Sequence, residues 1–68
     1  MKTRNDEQYQ MKKKEILKGF SKMIAEYGLE NISIAKLAKH LQIPSSLVIY
    51  YFQNRDTLVR EMISYVLD

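Results

Sequence analysis

Six consecutive apolar or aromatic residues, LVIYYF at positions 47–52, constrain this chain more than any other feature. On an α-helix, which advances about 100° per residue, such a run places hydrophobic side chains on every side. Val48 and Phe52 lie one turn apart and can enter a core, whereas Ile49 and Tyr50 point largely away from it. We therefore expect this segment to pack on its own protein with one face and to be covered by something else on the other.

Length and composition limit the class of protein. A chain of 68 residues forms one small domain, whose core supplies only a few kcal/mol of net stability. Its 46% hydrophobic and 28% charged residues are typical of a folded globular protein. There are no cysteines, which excludes disulfide scaffolds and thiolate zinc sites, and the single histidine, His40, cannot form a metal cluster alone.

The chain carries no sign of a membrane segment or of a catalytic site. No apolar run approaches the roughly 20 residues that cross a bilayer, so we expect a soluble, cytoplasmic protein without a membrane partner. The net charge of +3 is consistent with a nucleic acid or an anionic surface but does not decide between them. Because the acidic residues are scattered and glycine-rich phosphate loops are absent, we predict no catalytic residues, no metal and no cofactor.

Hydrophobic periodicity predicts the first helix. Helix one runs from Lys12 to Tyr27, where apolar residues recur at helical spacing, and Gly28 is expected to end it in a left-handed conformation. Residues 1–11 are expected to be a flexible or frayed extension, although residues 5–7 are able to begin the helix earlier.

A helix-turn-helix is predicted next. Helix two starts after Ser33, a good N-cap, with Ile32 packed back onto Leu37. Residues 42–43 form a tight turn, because Pro44 forces an extended conformation on the residue before it and cannot continue a helix.

Helix three then runs from about Ser45 to Tyr51. Its β-branched and aromatic composition also suits a strand, but it lacks period-2 alternation and the sequence offers no second strand to pair with it. Asn54 is the expected N-cap of helix four. The apolar stripe of helix four consists of Leu58, Val59, Met62, Ile63 and Val66. The expected fold class is all-α: a three-helix, homeodomain-like helix-turn-helix bundle plus the start of a fourth, connecting helix.

A protruding helix three can enter the major groove of duplex DNA. The two serines at its start suit base edges or phosphates, and the aliphatic residues that follow suit thymine methyl groups. The adjacent tyrosines can reach phosphate oxygens, while the starts of helices two and four clamp the DNA backbone. The predicted DNA-binding residues are Ser33, Lys36, Ser45, Ser46, Leu47, Ile49, Tyr50, Tyr51 and Arg55.

From Lys12 to its end the chain resembles the DNA-binding head of the TetR family of bacterial transcriptional repressors. The most specific part is IYYFQNRDTL, an aromatic-rich helix followed by a small loop, a basic residue and a leucine. In that family helix three enters the major groove. The residues at positions that commonly touch DNA are Ser45, Ser46, Leu47, Ile49, Tyr50, Tyr51 and Arg55.

The resemblance also implies a division of the chain. Residues 12–53 are the helix-turn-helix DNA-binding domain, and residues 54–68 are a connecting helix that leads to a ligand-binding and dimerisation domain outside this sequence. It implies a ligand-responsive repressor that binds a palindromic, double-stranded operator as a homodimer. The 68 residues alone can be a monomer of weak affinity, since they lack the gain from binding two half-sites at once.

Three positions in the turn and in helix three depart from the family's usual pattern. Gln42 replaces a glycine and costs roughly 1 kcal/mol if the backbone there is left-handed. Pro44 replaces a serine cap and brings no side-chain acceptor. Ile49 replaces a tyrosine, so the operator preference of this protein should differ from that of relatives with tyrosine.

A second interpretation stays open. A small helical protein–protein interaction module would use the surface of Ile49 and Tyr50 to dock on a partner helix or subunit. Salt separates the two, because phosphate contacts weaken steeply as salt rises, whereas an apolar contact is nearly insensitive or strengthens. Tyr9 receives no role in either interpretation.

Overall fold

The computed structural model describes the backbone of residues 4–67 and the side chains of residues 7–67. Within the described backbone the chain is all-α and has no strand, as predicted. The four helices are α1 (Arg4–Tyr27), α2 (Ile34–Leu41), α3 (Ser45–Phe52) and α4 (Arg55–Leu67), and a 3₁₀ turn (Leu29–Asn31) lies between the first two. The helix-turn-helix therefore consists of α2 and α3.

α1 begins earlier than the hydrophobic pattern predicted. It has 24 residues and starts at Arg4, so residues 4–11 are helical, which is the early start that the sequence left as an alternative to a frayed extension. The predictions for residues 1–3 and for Asp68 lie outside the described residues. The added turns bring Tyr9 beside α3, where its ring contacts two further tyrosines.

Every helix contributes to one hydrophobic core. Phe20 of α1, Leu37 of α2 and Phe52 of α3 are each at most 1% exposed. Ile32, which was predicted to pack on Leu37, is 2% exposed and belongs to the same cluster. The other buried residues of the cluster are Ile16, Leu17, Met23, Ala38, Val48, Tyr51 and Leu58.

Gly19 allows α2 to lie close to α1. A Cβ atom at this position would be 2.7 Å from Cδ2 of Leu41, which is closer than carbon atoms pack. Glycine inside a helix costs about 1 kcal/mol relative to alanine, so its presence here needs a packing reason. The contact with Leu41 provides one.

The turn between α2 and α3 has a left-handed residue at Gln42, so the condition under which this glutamine carries a steric cost is met. Its φ and ψ are 60° and 42°. The amide of Gln42 donates to the Lys39 carbonyl at 3.2 Å, and the amide of Ile43 donates to the Ala38 carbonyl at 3.0 Å. These two bonds close the end of α2 as a Schellman motif. Pro44 then leads into α3 in an extended conformation, without a side-chain cap.

α3 and α4 are joined by only two residues. Gln53 has φ 69° and ψ −54°, and the amide of Asn54 donates to the Phe52 carbonyl at 2.8 Å, which is the geometry of a γ-turn with positive φ. The predicted N-cap is confirmed, since Oδ1 of Asn54 accepts a hydrogen bond from the Thr57 amide at 2.8 Å. Because γ-turns with positive φ are strained, this sharp junction is held by the packing of the helices on either side.

The apolar stripe of α4 is buried only in its first half. Leu58 is 1% exposed, but Ile63 and Val66, which were predicted to extend the stripe, are 48% and 59% exposed. None of the helices within residues 4–67 is both long and apolar enough to cross a membrane.

We predict that Phe52→Ala unfolds the domain. Removing a fully buried aromatic side chain costs about 3–5 kcal/mol, which is comparable to the whole stability of a domain of this size. The control is Ile49→Ala on the same helix, where a half-exposed side chain should cost less than about 1 kcal/mol. Thermal unfolding followed by circular dichroism measures both, and equal losses would contradict the assignment of Phe52 to the core.

We predict that Gln42→Gly stabilises the protein by about 0.5–1 kcal/mol. Glycine adopts the left-handed conformation of this position without the steric penalty of a Cβ atom. Gln42→Ala keeps the Cβ atom and is the control, for which little change is expected. Urea denaturation gives the free energy of unfolding, and a glycine variant less stable than the alanine variant would contradict the prediction.

Candidate nucleic-acid interface

α3 has one buried and one exposed side, as its sequence predicted. Val48 and Phe52 are fully buried, whereas Ile49 is 47% and Tyr50 is 64% exposed. Ser46 is also exposed. We call Ser46, Ile49 and Tyr50 the outer side of α3. The other two predicted groove residues of this helix, Ser45 and Leu47, are half-buried at its edge.

Tyr51 differs from its predicted position. Its side chain is only 9% exposed and belongs to the core cluster, so it does not lie beside Tyr50 on the exposed surface, where the predicted phosphate contact would place it. The reason is helical spacing, because Val48, Tyr51 and Phe52 stand at i, i+3 and i+4 and share one face. A contact between the Tyr51 hydroxyl and DNA stays a prediction.

Three tyrosine rings meet beside the outer side of α3. The ring of Tyr9 on α1 lies 4.9 Å from that of Tyr51 and 6.2 Å from that of Tyr50, measured between centroids. The rings of Tyr50 and Tyr51 are themselves 5.2 Å apart. We call Tyr9, Tyr50 and Tyr51 the tyrosine cluster. An open cleft of about 480 Å³ is lined by these three residues together with Gln8, Met11, Lys12 and Glu15.

Sequence reasoning missed Tyr9, although a signal was present. The buried stripe of α1 includes Ile16 and Phe20, and stepping back from Ile16 by seven residues reaches Tyr9. Lysines and other polar residues interrupt the stripe upstream of Ile16, which hid this continuation.

Lys13 connects α1 with α3 and α4. Its ammonium lies 2.8 Å from Oε1 of Glu61, and its side chain is only 18% exposed. The same nitrogen is 5.3 Å from the centroid of the Phe52 ring and 5.7 Å from that of Tyr9, within the range of cation–π attraction. Lys13 therefore has a structural role.

Arg55 also serves the fold itself. Its Nη2 donates to the Leu29 carbonyl at 2.7 Å and its Nε donates to the Ile32 carbonyl at 3.2 Å. The guanidinium thus fixes the 3₁₀ turn and the start of α2 against the first turn of α4. Sequence analysis assigned Arg55 only to DNA, and that contact stays a prediction.

The start of α2 carries the remaining predicted contacts. Ser33 is confirmed as the N-cap, since its Oγ accepts a hydrogen bond from the Lys36 amide at 3.1 Å. The Lys36 ammonium donates to the Asn31 carbonyl at 3.2 Å. Ser33, Lys36 and Arg55 line an open cleft of about 660 Å³, which also includes Lys39, a basic residue that sequence reasoning did not select. Three cations face one acidic residue, Glu30, in this cleft, which makes it suited to phosphate.

Residues that bind metal ions are not brought together in the described part of the chain. Among the described side chains no group of three or more histidine, aspartate or glutamate residues is close enough to hold an ion.

A comparison with protein-family models matches residues 16–62 to the family described as bacterial regulatory proteins, tetR family. The matched segment contains every predicted DNA-binding residue from Ser33 to Arg55 and excludes Tyr9. Comparisons with curated proteins and with solved structures gave no match.

We predict that Arg55→Ala lowers the free energy of unfolding by about 1.5–3 kcal/mol. The change removes a charged donor from two backbone carbonyls. Arg55→Lys keeps the charge but cannot bridge both carbonyls in the planar geometry of a guanidinium, so it should recover less than half of the loss. Urea denaturation measures all variants, with Arg60→Ala, an exposed arginine of the same helix, as the control. Equal stability of the two alanine variants would contradict a structural role for Arg55.

Proposed function

We propose that this chain, which belongs to the tetR family of bacterial regulatory proteins, reads duplex DNA in a sequence-specific manner with the outer side of α3. Its family makes it a helix-turn-helix DNA-binding domain of a transcription regulator. Sequence-specific recognition and repression are the further steps that we propose here. In bacteria this function belongs to the cytoplasm, where the DNA is.

The observation that carries the proposal is the two-sided structure of α3. A helix of eight residues is about 12 Å long, and two of its inward residues, Val48 and Phe52, are fully buried. Ile49 and Tyr50 nevertheless remain exposed, although an isolated domain gains nothing from an exposed apolar side. A major groove about 12 Å wide is a suitable cover for this surface.

Different parts of the interface have different tasks in this proposal. Ile49, with Leu47 at the edge, contacts thymine methyl groups, and the two serines at the start of α3 bond to base edges or phosphates. The Tyr50 hydroxyl donates a hydrogen bond to a phosphate oxygen, which positions α3 without encoding sequence. The cleft at the start of α2, with Lys36, Lys39 and Arg55, supplies the positive charge for the DNA backbone.

Repression follows from occupancy of an operator that RNA polymerase needs. We further propose that the complete regulator is a homodimer on a palindromic operator, because two-fold symmetry in the protein matches two-fold symmetry in the site. A small ligand bound by a separate domain would then control repression. The 68 residues by themselves should bind one half-site weakly, since the linked second site is what raises the affinity.

The competing function is docking on another protein through Ile49 and Tyr50. The exposure of these two apolar side chains is the observation that favours it. It gives no role to the basic cleft at the start of α2, whereas DNA binding uses both surfaces.

We predict that binding to duplex DNA weakens steeply with salt. Two or three phosphate contacts should give a slope of about −2 to −3 in a plot of log affinity against log salt concentration. Fluorescence anisotropy of a labelled random-sequence duplex, measured from low to moderate salt, gives this slope. An absence of binding at low salt would sink the proposal, and salt-insensitive binding to another protein would favour the docking module.

We predict that Ile49→Ala lowers sequence preference more than overall DNA binding. The wild-type chain first selects duplexes from a randomised pool, and the affinities of both proteins are then measured for a selected duplex and for a random one. Loss of the branched side chain should weaken the selected complex by about fivefold or more and the random complex far less.

The control for this experiment is Ile63→Ala, a similarly exposed isoleucine on α4. It should leave both affinities unchanged. An equal loss on both duplexes with Ile49→Ala would show that this side chain does not face the bases.

A further inference from the structure

Tyr50 is the most exposed aromatic side chain of α3, yet its ring has partners. It is 64% exposed and makes edge-to-face contacts with Tyr51 and Tyr9, whose interplanar angles with it are 75° and 78°. Tyr51 is nearly buried and cannot move independently of the core. Tyr9, on another helix, is therefore the residue that confines Tyr50 from the side of α1.

We propose that Tyr9 is a positioning residue for DNA binding, which orders the ring of Tyr50 before the duplex arrives. A side chain that is mobile in the free protein loses rotamer freedom on binding, and this loss weakens the complex. A ring that is already held in an aromatic cluster avoids most of that cost. The inference rests on the proposed function, because it assumes that Tyr50 contacts DNA.

The surroundings of Tyr9 distinguish it from an ordinary core residue. It is only half-buried, and it borders the open cleft of about 480 Å³ together with Tyr50 and Tyr51. The Tyr9 ring is held on the side of α4 by Lys13, whose ammonium lies 5.7 Å from the centroid of that ring and 2.8 Å from Oε1 of Glu61. Tyr9 thus contacts the ion-paired Lys13 on one side and the exposed Tyr50 on the other.

Tyr9 also lies outside the segment that the family model matches, residues 16–62. Its contact depends on the early turns of α1, which begin at Arg4. The first turns of α1, which neither the family match nor the sequence pattern singled out, thereby gain a role in DNA binding.

The test is a double-mutant cycle in DNA affinity. The four proteins are the wild type, Tyr9→Ala, Tyr50→Ala and the double variant, and the probe is the duplex selected by the wild-type chain. Tyr9→Ala should weaken binding by about three- to tenfold. In the Tyr50→Ala background the same change should have little further effect, because Tyr9 acts through Tyr50. An equal loss in both backgrounds would overturn the inference.

Stability needs a separate readout, because Tyr9 also contacts the nearly buried Tyr51. Tyr9→Ala should lower the melting temperature in both backgrounds, through its contact with Tyr51, and somewhat more where Tyr50 is present, because the contact between the Tyr9 and Tyr50 rings is then lost as well. All affinities are measured well below the lowest melting temperature. If Tyr9→Ala fails to fold, Tyr9→Leu keeps an apolar contact without the ring, and wild-type affinity of this folded variant would overturn the inference.

Two further variants complete the design. Tyr9→Phe keeps the ring and should bind like the wild type, whereas Tyr27→Ala removes a half-exposed tyrosine from the far end of the same helix and should leave affinity unchanged. Weak binding by Tyr9→Phe would instead point to a direct contact of the Tyr9 hydroxyl and overturn the positioning role. If the wild-type chain binds no duplex, the proposed function itself is wrong. If the wild type binds and Tyr9→Ala binds equally well, only the positioning role of Tyr9 is wrong.

Discussion

The burial of one side of α3 is the interaction on which the rest of the structure depends. Val48 and Phe52 are inserted into the only core cluster that the described residues form, and Phe20 of α1, Leu37 of α2 and Leu58 of α4 belong to the same cluster. A domain this small has few other sources of stability. Because this side is used for folding, the opposite side of α3 is free to expose Ile49 and Tyr50, the side chains that we propose to contact DNA.

The basic residues illustrate how a small domain uses one side chain for two purposes. Arg55 and Lys36 donate to carbonyls of the segment that links α1 and α2, so they shape the cleft that they line. Their charge is not consumed by these bonds, since carbonyls are neutral acceptors. Structural and electrostatic roles are therefore compatible here, and a substitution at Arg55 has to be judged by stability before affinity.

Local rules predicted most of the fold from the sequence. The caps Ser33 and Asn54 and the inward position of Phe52 each follow from a few neighbouring residues, and the structure confirms them. The features that were missed depend on contacts between distant parts of the chain. Tyr9 meets Tyr51 only because α1 extends to Arg4 and passes beside α3.

The candidate site shows the same division. Exposure of Ile49 and Tyr50 could be derived from helical spacing, whereas the bonds of Arg55 to Leu29 and Ile32 join residues more than 20 positions apart. No local pattern predicts which carbonyls a guanidinium will reach. Long polar side chains are for this reason the least predictable part of such an interface.

The shortness of α3 has a consequence for how the domain can fail. Eight residues are too few for a helix to persist by itself in water, and here both neighbouring turns place glutamines at positive φ. The outer side of α3, our proposed DNA-binding surface, therefore exists only in molecules whose core is assembled. Heat, denaturant and a substitution in the distant core should therefore all abolish the proposed DNA binding through cooperative unfolding. The fraction of molecules able to bind a duplex should equal the folded fraction.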